Sequence, residues 1–391
     1  MSVLISHPSP DLYGSDLQLL ETVEALVADG HTVRVVLPAT GPLESRIVAR
    51  GASVQIFDFP VSRKSLLSIT GIPVYILKSV VAAFKIFRIL RKIRPNVVYA
   101  NTLTTPVWFL SELLAGTPVI CHVHEAEQSN QRTVRYALLL PLTLCRTIIV
   151  NSRASREVIV TSLPRLEKRA KVVYNGIPHD DKKPPSAAPE GGHFRLALVG
   201  RLSPRKGTDI ALEAVALLIS QQYDVSITLY GDFYPGYEWF DADLRERAAR
   251  PDLAGRVHFA GYVKDARAKL ADADIVLVPS LAEPFGNVAV EAQLANRPLI
   301  ASRVQGLSEI VTDGETGTLC QPGNAKELAT AVSRLIDNWS SALRMAENSY
   351  SSAAERFGVE RYQAQVLHEV SSLAVAPRRS SVLQIFDGRR S

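Results

Sequence analysis

A chain of 391 residues exceeds what one hydrophobic core accommodates, so two or three domains are expected at about 150 residues each. Hydrophobic residues make up 47% and charged residues 21%, a globular balance that excludes a disordered, collagenous or disulfide-stapled chain. The net charge of +5 is small but uneven: no acid lies between Asp58 and Glu112, a stretch that holds Arg63, Lys64, Lys78, Lys85, Arg88, Arg91, Lys92 and Arg94 and calls for an anionic neighbour.

The opening Met-Ser-Val-Leu-Ile-Ser-His-Pro has neither the basic region nor the apolar run of a signal peptide. No uncharged apolar run of about 18 residues is present to span a membrane. Cys121, Cys145 and Cys320 are far apart and without metal-ligand spacing, so a reducing compartment, no structural zinc and chemistry facing the cytoplasm are expected.

Residues 3–6 read as a buried strand, 16–29 as a helix closed by Gly30, and 32–37 as a second strand. Further β-branched runs follow at 54–57, 97–99, 119–123, 147–150 and 172–174, with helix-length segments between most of them. Near-continuous apolar strands separated by helices predict a parallel sheet covered on both faces, a doubly wound α/β domain over 1–177. Residues 178–193 contain four prolines and two glycines and read as a linker. The alternation then restarts, with strands at 196–199, 226–230, 257–259, 275–278 and 299–301 and helices near 209–220, 240–249, 287–295 and 325–336. A second doubly wound domain over 194–358 is the reading. Two such domains facing each other leave a cleft beyond the carboxyl ends of their strands, where ligands bind. A closing helix over 359–375, with a crossing back to the first domain as one option, and a disordered tail over 376–391 complete the expected organisation.

The loop after the first strand of the second half reads Gly200-Arg201-Leu202-Ser203-Pro204-Arg205-Lys206-Gly207-Thr208-Asp209. A glycine ends the strand, cations follow, and Thr208 with Asp209 is expected to cap the next helix. Backbone N–H groups and the positive helix end favour an anion, and Arg201 and Lys206 could supply the charge a diphosphate needs. An ordinary solvated loop is the alternative. The sequence has no Walker motif and no G-x-G-x-x-G.

A second loop, Ser280-Leu281-Ala282-Glu283-Pro284-Phe285-Gly286-Asn287, leads into Val288-Ala289-Val290-Glu291-Ala292. Pro284 and Gly286 delay the helix to about Gly286, which places the amides of Phe285, Gly286 and Asn287 at a helix N-terminus suited to phosphate. Glu283 can accept from sugar hydroxyls and Glu291 from a ribose diol; alone, the two glutamates read rather as solvated charges.

Taken together, the two loops resemble the retaining, nucleotide-sugar-dependent glycosyltransferases of family 4, which have the GT-B fold. The resemblance rests on Glu283 and Glu291 in their EPFG context, on GRLSPRKG, on Val257-His258-Phe259-Ala260-Gly261, and on Gly306-Leu307-Ser308-Glu309-Ile310-Val311 followed by Asp313-Gly314-Glu315-Thr316-Gly317. Val173-Tyr174-Asn175-Gly176-Ile177-Pro178 also fits. The resemblance implies that Arg201 and Lys206 hold the donor diphosphate, that Glu291 binds the ribose, that Glu283 meets the sugar hydroxyls, and that Gly200 and the Phe285-Gly286-Asn287 backbone line the donor. Gly14, in Leu12-Tyr13-Gly14-Ser15-Asp16, matches a glycine loop that approaches the donor phosphate; the family often has two adjacent glycines where this chain has Tyr13-Gly14. Val119 to Glu125 resembles a strand ending in a donor-side histidine, which implies a catalytic place for His124; His122, on the same strand face, is the competitor. The implied reaction needs no metal and no cofactor beyond the nucleotide-sugar co-substrate, and no Asp-x-Asp motif stands at a strand end here.

The basic stretch over 73–94 is helical in pattern, with Lys78, Lys85 and Lys92 every seven residues, Arg88 beside them, and Val74, Leu77, Val81, Phe84 and Ile89 over other faces. It suits an anionic membrane surface that presents a lipid-linked or glycan acceptor, with a solvated basic face as the alternative. No nucleic-acid motif accompanies the charge. Envelope glycan or glycolipid synthesis is the expected setting, with the enzyme cytoplasmic or peripheral at the inner membrane face. A GT-B-fold sugar-nucleotide epimerase and a catalytically silent sugar-nucleotide-binding subunit are the competing readings.

Overall fold

The computed structural model describes residues 1–12, 14–62, 71–125, 132–179, 189–233, 236–263 and 266–374. Tyr13, Arg63, Lys64, most of the 178–193 linker and the 376–391 tail fall outside these residues. By its internal contacts the chain divides into two units. Unit 1 runs from Met1 to Gly176 and takes in the helix that starts at Val359, and unit 2 is Ile177–Gly358.

Unit 1 carries β1 (Ser2–Ser6), α1 (Gly14–Ala28), β2 (Thr32–Leu37), α2 (Pro42–Ala49), β3 (Ser53–Ile56), α3 (Gly71–Ile93), β4 (Val97–Ala100), α4 (Ser111–Ala115), β5 (Val119–Val123), α5 (Arg132–Leu139), β6 (Thr147–Val150), α6 (Arg153–Ser162) and β7 (Ala170–Val172). The strands form one parallel sheet in the order β3-β2-β1-β4-β5-β6-β7. Both faces are buried, as the continuous apolar strands require: in β4, Val98 and Ala100 join the core on one side while Val97 and Tyr99 join the core on the other. Strand β7 lies two residues earlier than the β-branched run suggests. Its pairing with β6 starts at Ile148 opposite Ala170, and Val173 continues only through its N–H to Val150 O at 2.9 Å.

Unit 2 carries β8 (Phe194–Val199), α7 (Thr208–Ser220), β9 (Val225–Tyr230), α8 (Glu238–Ala248), β10 (Val257–Gly261), α9 (Ala266–Ala271), β11 (Ile275–Val278), α10 (Asn287–Leu294), β12 (Leu299–Ser302), α11 (Leu307–Ile310), β13 (Thr318–Cys320), α12 (Ala325–Asp337) and α13 (Trp339–Phe357). Its parallel sheet has the order β10-β9-β8-β11-β12-β13. Both sheets therefore share the doubly wound pattern in which the chain moves out one way from the first strand, returns, and moves out the other way.

The closing helix, α14 (Val359–Ala374), buries Tyr362, Val366, Val370 and Leu373 in the unit 1 core beside α1. Their spacing places them on one helical stripe, and Tyr362 OH lies 2.5 Å from Thr22 Oγ1 of α1.

Helix α3 has two contrasting faces. Ala82, Ile86 and Leu90 face the core. Leu77 is 67% exposed, Val80 63% and Phe84 62%, with Val74, Ile76 and Val81 also exposed. Lys78, Lys85, Arg88, Arg91 and Lys92 are exposed as well, so the outer face is mainly apolar in its first half, around Lys78, and mainly cationic in its second. Among the described residues, no helix is long and apolar enough to cross a membrane.

Candidate functional site

In each unit the strand order reverses between the first strand and its later neighbour: β1 and β4 in unit 1, β8 and β11 in unit 2. The loops leaving the carboxyl ends of such a strand pair diverge and leave room between them, which is where doubly wound folds place ligands.

In unit 2 the loop after β8 is the basic one and the loop after β11 is the acidic one. Gly200 leaves the strand at φ 142°, with its N–H bonded to Tyr230 O at 2.9 Å, and half-buried Arg201 follows. A 3₁₀ turn over Pro204–Lys206 then brings Lys206 back toward the sheet. Two contacts tie the loops together: Leu281 N–H donates to Arg205 O at 2.8 Å, and Arg205 Nη1 donates to Ala282 O at 2.8 Å.

This register sets Lys206 Nζ directly on Glu283 Oε2. Both side chains are largely buried, Ser280 Oγ donates to the same carboxylate at 3.4 Å, and Arg205 Nη1 lies 3.9 Å away. Burial pushes the Glu283 carboxyl up, but Lys206 and then Arg205 outweigh it and hold it below the ordinary carboxylate range. The Glu283 backbone is pinned too: its N–H donates to Gln305 Oε1 at 2.7 Å and its carbonyl accepts from Gly306 N–H at 3.1 Å.

Beyond Glu283, buried Phe285 packs edge-on against Phe357 at 5.6 Å between centroids. Gly286 sits at φ 119° as the residue before α10, and a Cβ there would lie 2.6 Å from Leu307 Cδ2. Helix α10 begins at Asn287, and half-buried Glu291 is its fifth residue.

One local expectation fails. Thr208 and Asp209 do not cap α7; Gly207, left-handed at φ 66°, occupies the cap position without a side-chain hydrogen bond. The close approach of β11 leaves no room for a side chain there, so the helix starts from the glycine and Thr208 becomes its first residue.

In unit 1, Gly14 opens α1, while His7 follows β1, Asn101 follows β4 and His124 follows β5. His7 Nε2 lies 2.6 Å from Asp16 Oδ1 of α1. Asn101 Nδ2 lies 3.0 Å from His7 Nδ1 and 3.4 Å from Ser15 O, and Asn101 Oδ1 lies 3.2 Å from His124 Nε2. His122 and His124 rest ring on ring, with centroids 4.0 Å apart. The two histidines differ in surroundings. His122 is fully buried, its Nδ1 2.8 Å from Tyr99 OH, and burial holds its imidazole well below the usual histidine range. His124 lies at the rim of the sheet, and burial followed by the influence of His7 lowers it to about 3. Glu125 accepts from Thr102 Oγ1 at 2.5 Å, and burial raises its carboxyl above the ordinary range.

His7, Asp16, Asn101, Glu125, Ser280 and Gln305 carry no role in the motif reading. The signal for the unit 1 group was a polar residue at the first position past an apolar strand. Among the described residues, no group of three or more His, Cys, Asp or Glu side chains is placed to hold a metal ion.

Two parallel sheets of seven and six strands, each with polar loops at its switch point, define a protein built from two Rossmann-like units. Residues 14–181 match the model of Glycosyltransferase Family 4, and residues 193–338 match that of Glycosyl transferases group 1. The chain belongs to the family 4 glycosyltransferases and has the GT-B fold.

The chain is 37% identical over 171 residues to D-inositol 3-phosphate glycosyltransferase 2 of Catenulispora acidiphila, a match over 42% of this chain and 39% of that protein. It is 35% identical over 179 residues to a glycogen synthase of Mycobacterium tuberculosis, a match over 45% of this chain and 42% of that protein. The chain thus spans about two fifths of the length of these curated relatives. Among solved structures it is similar to Anabaena Alr3699/HepE in complex with UDP, at 26% identity and a TM-score of 0.81, over 95% of this chain and 100% of that one. The same protein in complex with UDP-glucose is 25% identical, at a TM-score of 0.80 over 95% of this chain and all of that one.

Proposed function

We propose that the protein is a retaining glycosyltransferase that moves a sugar from a uridine diphosphate donor to a glycan or lipid-linked acceptor in cell-envelope polysaccharide or glycolipid synthesis. The observation that carries this reading is the buried Lys206–Glu283 pair between the loops that follow β8 and β11. An ammonium has three donors. One goes to Glu283, and the others stay available for phosphate oxygens, with Arg201 five residues earlier in the same loop. Glu283, held ionised by Lys206, accepts from hydroxyls of the transferred sugar; Glu291 accepts from the ribose.

The leaving group is a nucleoside diphosphate, so catalysis consists mainly of stabilising negative charge on the departing oxygen. Each charge-assisted contact contributes about 1.5–3 kcal/mol, so losing one slows transfer by roughly one to two orders of magnitude. Two cations at the diphosphate supply the charge that a divalent metal would supply elsewhere, and transfer without metal is part of the reading. The choice of uridine follows the UDP and UDP-glucose complexes of the Anabaena protein. Helix α3, with its exposed apolar and cationic outer face, is the surface for an anionic cytoplasmic membrane face that holds the acceptor.

The test is twofold. UDP and UDP-glucose, but not GDP or ADP, raise the melting temperature, and a UDP-sugar transfers its sugar to a membrane-extract acceptor with the α-linkage retained and in the presence of a chelator. Conversion of the donor's sugar without any acceptor would instead assign an epimerase, and no response to any nucleoside diphosphate would assign a silent subunit.

A further inference from the structure

Four buried or half-buried groups at the carboxyl edge of the unit 1 sheet form one continuous hydrogen-bonded chain. It runs from Asp16 through His7 and Asn101 to His124. Its direction can be worked out from chemistry alone. A backbone carbonyl only accepts, so the Asn101 atom 3.4 Å from Ser15 O is the amide nitrogen. That nitrogen also faces His7 Nδ1 at 3.0 Å, which makes Nδ1 the acceptor and leaves the His7 proton on Nε2. Nε2 in turn donates to Asp16 Oδ1 at 2.6 Å. The amide oxygen of Asn101 is then fixed toward His124, 3.2 Å from Nε2, and an amide oxygen only accepts. His124 must therefore carry its proton on Nε2.

We propose that Asp16 is a positioning residue that acts through His7 and Asn101 to hold His124 as the Nε2–H tautomer, leaving Nδ1 as a bare acceptor for a hydroxyl of the bound sugar. The tautomer follows from the geometry; its use toward a sugar rests on the transferase reading above. Three features support a built relay over a chance string of contacts. His7 and Asp16 are 0% and 2% exposed, and Asn101 is 0% exposed, so water does not compete for the bonds. The acid comes from a helix and the other members from three different strand ends, so the chain fixes the edge of the sheet against α1. His124 is held neutral by burial, which is the state in which a single tautomer has meaning.

The experiment is nitrogen-15 spectroscopy of the full chain with labelled histidine. Long-range proton–nitrogen correlations show which ring nitrogen of each of the eight histidines is protonated, and His124→Gln identifies the His124 signals. The wild type is expected to show His124 with Nε2 protonated and Nδ1 bare; the opposite tautomer, or an even mixture, overturns the proposal without any further variant and without a sugar. In Asp16→Asn, a carboxamide no longer dictates the His7 proton, and the long 3.4 Å bond from Asn101 Nδ2 to Ser15 O is too weak to hold the amide orientation by itself, so His124 should become a tautomer mixture. Turnover should fall roughly 10- to 100-fold with the donor KM within about twofold. An unchanged His124 signal in folded Asp16→Asn overturns the relay. Asn101→Asp guards against a variant that fails to fold: it keeps an acceptor for His124 but places a second carboxylate on His7, which should become doubly protonated. A singly protonated His7 there also overturns the proposal. If the tautomer is as stated but turnover is unmoved in Asp16→Asn, the relay has no role in the reaction; if no sugar is transferred by the wild type at all, the transferase reading fails while the tautomer stands.

Discussion

Gly207 lies so close to Pro279 that a Cβ on the glycine would come within 2.1 Å of the proline carbonyl oxygen. This contact seats the basic loop on the end of β11 and lets Lys206, one residue earlier, reach Glu283 four residues beyond that proline. Gly207→Ala must move backbone and adopt φ 66° with a side chain. The variant should lose at least about 2 kcal/mol of stability and most of its affinity for UDP. Thermal unfolding and calorimetric titration read both effects, and unaltered UDP affinity would mean the loop does not position the diphosphate.

The Lys206–Glu283 pair predicts strong coupling. Removing one partner of a largely buried ion pair leaves a charge without compensation, which costs about 3–5 kcal/mol. Lys206→Met and Glu283→Gln should each destabilise unit 2, while the double variant should recover part of the loss, with a coupling of about 1–3 kcal/mol in a denaturation cycle. Additive losses would show that the two charges do not depend on one another.

Much of the architecture could be read from the chain because parallel sheets buried on both faces leave a strong imprint. Runs such as 119–123 and 275–278 are apolar at every position or nearly so, and turn residues bound them. Helix α13 was invisible for the converse reason: before Phe357 at its end, its buried stripe is Ala342, Ala346, Ser349 and Ala353, residues too small to register as an apolar face. Strand β13 is three residues long, and its place in the sheet is set by pairing with β12. In the site, motif spacing pointed to Lys206 and Glu283 separately, but their bond joins positions 77 apart in sequence and depends on the Gly207–Pro279 contact. The Asp16-to-His124 chain was illegible for a similar reason, since strand order, not spacing, makes β1, β4 and β5 neighbours.

The two glutamates that follow β11 should separate kinetically. On the proposed reading Glu291, on a formed helix turn, binds a part of the donor that does not react, so Glu291→Ala should raise the donor KM about tenfold with kcat little changed. In the same reading Glu283 contacts the sugar whose bond breaks, so Glu283→Gln should lower kcat by roughly one to two orders of magnitude with a smaller change in KM. Equal and negligible effects in initial-rate measurements would show that the roles are misassigned.

Acid should destabilise unit 1 through His124. Its folded value is about 3, whereas the unfolded side chain titrates near 6.5. Below pH 6.5 the unfolded chain takes up a proton that the folded chain refuses, so stability falls as pH drops, by up to about 1.4 kcal/mol per pH unit for each such group. His122, lowered by burial, acts with the same sign. Glu125, raised by burial, acts with the opposite sign: its contribution is present at low pH and is lost as pH rises through its folded value. The difference between wild type and His124→Gln isolates the histidine. The variant's melting temperature should fall less than the wild type's between pH 7 and pH 5, and parallel curves would place His124 in contact with solvent.

If the outer face of α3 meets a membrane as proposed, two contributions to that binding can be separated. Attraction by Lys85, Arg88, Arg91 and Lys92 is electrostatic, worth about 1 kcal/mol per cation at an anionic surface and weakened by salt. Insertion of Leu77, Val80 and Phe84 is not screened, and burying an apolar side chain of that size contributes about 1.5–3 kcal/mol. Phe84→Ser should therefore weaken co-sedimentation with phosphatidylglycerol vesicles at low and high salt alike, by roughly tenfold or more. Arg88→Ser should weaken it about fivefold at low salt and hardly at all at high salt. Vesicles of neutral phosphatidylcholine should retain only the apolar contribution. If wild type and both variants sediment equally with all vesicles, or none sediments, the exposed face of α3 serves something other than a lipid surface, and a concentration-dependent rise in mass by light scattering would point to a second copy of the chain.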